Sequence, residues 1–160
     1  MTYFAPLPAL ILCCITAVFG FAPPVSASGV ERDLVWQASN QAGFAGLLNR
    51  HRARYGLSAV RRSYDLDAAA RAHAVYMVST KDLSHRGAGG SRLPHRLQAR
   101  GLRACLGGEN LGRGQRSEGR IFSDWVASPS HNRILLMQGV THYGLARVGD
   151  YWAMVVARPC

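Results

Sequence analysis

Apolar residues recur along this chain with different periods, and each period predicts a different element. Residues 7–22 (LPALILCCITAVFGFA) are an almost unbroken apolar run, too short to cross a bilayer comfortably. Two prolines and the small-residue triplet Val25-Ser26-Ala27 follow it, which is the order of a secretory signal peptide cleaved after Ala27. The leading MTYFAP has no Lys or Arg, so an uncleaved anchor is the alternative. Cys13 and Cys14 raise lipid attachment as another, against which Leu12 stands where a small residue is needed. Residues 28–33 are a short polar leader.

From residue 34 to residue 55 the period becomes helical. Phe44, Leu47, Leu48, His51 and Tyr55 share one stripe, with Arg50, Arg52 and Arg54 assigned to other faces and Gly56 as the stop. A second helix starts from Asp65 as N-cap, carries Leu66, Ala69, Ala70, His73, Ala74, Met77 and Val78 on one stripe, and ends near Thr80. His73 on that stripe reads as a hydrogen-bonded core residue, not a ligand. Residues 81–91 are a glycine-rich loop, and Pro94 opens a short basic helix that runs to about Arg100 and is ended by Gly101. Residues 103–111 read as a strand running into a loop. Residues 117–127 form a helix with Ile121, Phe122 and Trp125 inward, ended by Pro129. The chain closes on a hairpin, residues 143–148 and 151–157 about a Gly149-Asp150 turn, whose WAMVVA run suits a strand covered on both faces. This order predicts an α+β protein with helices around a small, mainly antiparallel sheet.

Composition narrows the class. At 160 residues, with 48% hydrophobic and 18% charged, the chain has the balance of one globular domain. Two of its four cysteines fall in the apolar leader, which leaves Cys105 and Cys160 either as one bridge or as two thiols. An oxidising compartment favours the bridge, whose loop closure contributes about 4 kcal/mol on the chain-entropy account. Lys and Arg number 19 against 9 Asp and Glu, for a formal charge of +10, and all but Lys81 are arginine. Guanidinium forks suit an anionic envelope polymer or lipid headgroup, while a solvated basic surface is the plainer reading. The arginines are not interleaved with aromatics and no nucleic-acid module appears, so nucleic acid is not an expected partner. HExxH, GxSxG, GxGxxG and CxxC are all absent, which disfavours nucleotide chemistry and the common zinc-protease folds.

What the sequence does carry is a set of short motifs at element ends: Leu83-Ser84-His85, Gly107-Gly108-Glu109-Asn110-Leu111, Trp125-x-x-Ser128-Pro129-x-His131 and Thr141-His142-Tyr143-Gly144. With LLNRHRARYGL and D-x-x-x-x-A-x-x-H-A-x-x-M ahead of them, they resemble the bacterial branch of the CAP superfamily, which includes cysteine-rich secretory proteins, antigen 5 and plant pathogenesis-related proteins. The likeness runs over residues 40–158. It implies a CAP (SCP-like) domain at residues 40–160, behind the signal peptide at 1–27 and a leader at 28–39. The implied fold is a three-layer α-β-α sandwich with a cleft.

By that resemblance His85, Glu109 and His142 line the cleft. Where the family has a second acid, three residues after the tryptophan, this chain has Ser128. After His131, itself a candidate cleft residue, the run Asn132-Arg133-Ile134-Leu135 is one residue shorter than the usual pattern. Two imidazoles and a carboxylate suit zinc, with His85 and His142 as ligands and Glu109 as the catalytic base of a metal-dependent hydrolase. Loss of the second acid weakens that reading. The leading expectation is a secreted or periplasmic protein of the bacterial envelope that binds an anionic or amphipathic ligand, lipid or cell-wall in origin, without catalysis.

Overall fold

The computed structural model describes Met1 and residues 43–160. The signal peptide, its cleavage site, the leader and the start of the first helix lie outside those residues. Helix α1, Gly43–Arg54, buries Phe44, Leu48 and His51 as its stripe requires, and Gly56 turns the chain out of it at φ +68°. Tyr55 is exposed, and Arg52 is buried instead of lying on an outer face.

A two-residue strand β1, Arg61–Arg62, leads to α2, Tyr64–Thr80. The N-cap of α2 is Ser63, whose hydroxyl accepts from Leu66 N–H, two residues ahead of the expected Asp65. Asp65 and Asp67 instead occupy the first turn, where carboxylates complement the helix dipole. Leu66, Ala69, Ala70, His73, Ala74 and Met77 are buried, and Val78 falls off the stripe. A 3-10 turn, Ala88–Gly90, and the short helix α3, Leu93–Gln98, follow.

Strand β2, Ala104–Arg113, is ten residues long and takes in the whole Gly-Gly-Glu-Asn segment that the glycines had marked as loop. Those glycines mark close packing. A Cβ at Gly108 would press on Ile134 and Met137, and one at Gly112 would run into Ile121. Helix α4, Glu118–Ala127, is capped by Ser117 and buries Ile121, Phe122 and Trp125. Helix α4 stops at Ala127, ahead of Pro129 as expected, but Pro129 has a second part. It is the first residue of a further helix, α5, Pro129–Leu135, because a proline is as well suited to a helix start as to a stop.

Strands β3, His142–Val148, and β4, Tyr151–Pro159, make the expected hairpin. The sheet order is β1-β3-β4-β2, with β2–β4 and β3–β4 antiparallel and β1–β3 parallel, so the sheet is mixed. Helices α1, α4 and α5 cover one face over Tyr143, Leu145, Met154 and Val156. Helices α2 and α3 cover the other over Ala153, Val155 and Ala157. This is a three-layer α-β-α sandwich, and residues 151–157 of β4 are buried from both sides. Helix α2 docks closely because Gly144 has no side chain: a Cβ there would fall on the backbone of Leu66 and Asp67. Asp67 Oδ1 accepts from Leu145 N–H at 2.8 Å across that contact. Among the described residues no helix is long and apolar enough to cross a membrane.

Candidate ligand-binding site

Four elements converge on Glu109. Strand alternation turns its side chain toward the α2/α3 layer, where it is only 4% exposed. From α3, the Arg96 guanidinium pairs with Oε1. From the 81–91 loop, His85 Nδ1 lies 2.8 Å from Oε2 and donates to the carboxylate, which only accepts. From α2, His73 Nε2 stands 3.9 Å from the same oxygen but donates to Ser84 O at 2.9 Å. Arg96 Nη1 also donates to His85 O at 2.9 Å and Ser91 O at 3.1 Å, so one side chain fixes both the loop and the acid. Gly87 leaves room for this, since a Cβ there would crowd Ser91 Oγ and Arg96 Cδ.

His73 is 2% exposed and its Nδ1 has no hydrogen-bond partner among the described residues. Burial above all, with the Arg96 and His85 charges, holds its pKa below the ordinary imidazole value, while Glu109 and the Ser84 carbonyl oppose the shift. The folded protein therefore refuses a proton that the unfolded chain accepts near pH 6.5. Stability contributes no pH slope from this group above that value and falls as pH drops below it, toward the lower folded pKa. Denaturant unfolding at pH 7.5 and 5.5 is expected to show the loss, and His73→Gln to shrink it. An equal loss in the variant would acquit His73.

The other expected site residues separate from this cluster. His131, in α5, pairs through Nδ1 with Ser128 Oγ at 2.8 Å, and its carbonyl accepts from Asn110 Nδ2 at 3.0 Å. Ser128 ends α4 and caps α5, so these two residues pin the junction of the helices to β2. Burial, then the nearby His85, pulls the His131 pKa down. His142 bonds its neighbour Thr141 at 2.8 Å. It pairs with Ala157 while Glu109 pairs with Val155, so β4 lies between them. Their backbones are about 12 Å apart on standard sheet spacings.

These residues do not fit a zinc centre. Both oxygens of Glu109 are engaged, the cation beside them is Arg96, and His142 is not part of the cluster. Among the described residues no three His, Cys, Asp or Glu are grouped so as to hold a metal ion.

What the arrangement does form is a cavity of about 890 Å³ between α3 and β2. His85 and Glu109 reach it at one end, Leu93, Pro94, Leu97 and Leu102 make an apolar wall, and Arg92 and Arg103 supply guanidinium groups. Cys160 lines it too, held by the expected bridge to Cys105 with Cα atoms 4.8 Å apart. Sequence reasoning missed Arg92, Arg96 and Arg103 as site residues. Their one signal was the run from Lys81 to Arg103, with six Lys or Arg against the single Asp82.

Comparison with known proteins agrees with this architecture. The family model for the cysteine-rich secretory protein family, CAP, matches residues 45–155. No curated protein sequence matches the chain. An extracellular protein containing an SCP domain from Bacillus anthracis aligns with TM-score 0.69 and 20% identity over 86% of this chain and 45% of its own. An outer surface protein of Borrelia burgdorferi aligns with TM-score 0.66 and 16% identity, covering 83% of this chain and 96% of that one. A cysteine-rich secretory protein of Staphylococcus aureus gives TM-score 0.62 and 18% identity over 71% and 36%. The chain thus spans less than half of the Bacillus and Staphylococcus proteins it resembles.

Proposed function

This chain belongs to the cysteine-rich secretory protein (CAP) family, and from that premise we propose that it is a secreted or periplasmic protein of a bacterial envelope that holds an anionic, amphipathic ligand without catalysis. The observation that carries the reading is the α3/β2 cavity, where an apolar wall meets two guanidinium groups while Glu109 is neutralised by Arg96. Its volume lies in the range of small-molecule sites, roughly 300–1,000 Å³. A free carboxylate would repel an anion, and here the acid is spent inside the protein. The contacts with Arg96 and His85 take one lone-pair direction on each Glu109 oxygen and hold the carboxylate against the protein, which favours binding over hydrolysis. The apolar run at residues 7–22, and the extracellular or outer-surface character of the Bacillus and Borrelia proteins, support secretion.

A fluorescent long-chain carboxylate and its neutral amide test the proposal. The carboxylate is expected to bind, to weaken as salt rises, and to lose at least about tenfold in affinity, or 1.4 kcal/mol, in the Arg92→Ala, Arg103→Ala double variant. Equal binding of acid and amide, unaffected by that variant, would refute an anionic ligand.

A further inference from the structure

The cavity also opens on one edge of the sheet. In an antiparallel strand the backbone groups of alternate residues point to opposite edges. Trp125 Nε1 donates to Leu111 O at 2.9 Å, so Leu111 turns its backbone away from β4, and parity turns Gly107 and Glu109 the same way. Strand β2 is the last in the sheet, with no further strand beyond it among the described residues. Among the described residues nothing hydrogen-bonds to the backbone of Gly107 or Glu109 on that side, and Gly107, Gly108 and Glu109 all line the cavity.

We propose that the cavity takes an extended acidic peptide, which adds to β2 at Gly107–Glu109 as a fifth strand; this rests on the reading of the cavity as the ligand site. Residues i and i+2 of a strand are about 6.8 Å apart, so the two exposed sets of N–H and C=O match alternate residues of an extended chain. A lipid tail laid there would leave those groups dry and unpaired, which costs free energy, whereas a strand satisfies them. A Cβ at Gly107 would lie 3.2 Å from Val156 O and in ordinary contact, 3.9 Å, with Leu93 Cδ2. Leu93, Leu97 and Leu102 receive every second side chain of the peptide. Its acidic residues face Arg92 and Arg103, neither of which is in an ion pair among the described residues. With Arg96 spent on Glu109, five cations remain against the single Asp82 between Lys81 and Arg103, which makes the complement acidic and not basic.

The probe is a capped Glu-Val-Glu-Val-Glu peptide, compared with its copies N-methylated on alternate amides in each register, with Arg-Val-Arg-Val-Arg, and with the long-chain carboxylate. Titrated into the ¹⁵N-labelled protein, the acidic peptide is expected to shift the amides of Gly107 and Glu109 saturably. Affinity should drop at least tenfold for one N-methylated copy, for the basic peptide and for Arg92→Ala. Equal binding of both methylated copies, or shifts confined to other elements, would overturn strand addition. If the peptide fails while the carboxylate binds, strand addition falls and the ligand site stands. If neither binds, both fall.

Discussion

Replacing Arg96 with alanine is expected to lower the unfolding free energy by about 3–5 kcal/mol, the usual cost of leaving one member of a buried ion pair alone. Glu109 is 4% exposed and Arg96 13%, so water cannot simply take the place of the guanidinium. The variant also releases the carbonyls of His85 and Ser91, which loosens the loop that carries the other partner of the acid. The double variant Arg96→Ala, Glu109→Gln removes the stranded charge and should recover part of the loss. Urea unfolding of the wild type, both single variants and the double variant closes the cycle. A single-variant loss below about 1 kcal/mol, with no coupling in the cycle, would show that Glu109 is solvated and that the cavity is not kept free of negative charge.

The same residue marks the boundary of what the sequence discloses. Helix α2 and the Ile121–Phe122–Trp125 stripe were legible because each buries one face, and a face leaves a period in the sequence; the β3–β4 hairpin was legible from its Gly149-Asp150 turn and the continuous apolar run of a strand covered on both sides. Strand β1 was not, since two exposed arginines have no period. Helix α5 hid behind Pro129, which marks a start and a stop equally well. The glycines at 107 and 108 pointed to a loop because their reason, the approach of Ile134 and Met137 to Gly108 above all, lies in elements distant along the chain. At the site, the motifs named His85 and Glu109 together, and the two side chains meet; the Cys105–Cys160 bridge was one of the two outcomes the cysteine count allowed. The motifs could not show that Arg96 would reach Glu109, because side-chain pairing across thirteen residues of loop, helix and strand is a property of the fold and leaves no local pattern.

Arg52→Met is expected to cost about 3–5 kcal/mol as well, for a different reason. Arg52 is 1% exposed and meets no carboxylate among the described residues; its Nε donates to Ser58 O at 3.0 Å, and its Nη1 to Leu135 O at 2.8 Å and Met137 O at 3.1 Å. Burial pulls its pKa down from the ordinary guanidinium value, and the three carbonyl dipoles keep the charge in place. Methionine retains much of the apolar stem and deletes the donors, leaving three carbonyls short of partners at about 1–3 kcal/mol each where water does not enter. Two of those carbonyls hold the end of α5 and the turn after it, and the Met137 side chain packs over Gly108. The defect therefore reaches the strand that floors the cavity. Denaturant unfolding should show a lower midpoint with an unchanged slope, and the carboxylate probe should bind more weakly to the folded variant at a temperature well below its transition. A stable Arg52→Met protein with full ligand affinity would mean that water satisfies these carbonyls and that α5 does not depend on Arg52 to hold β2 in place.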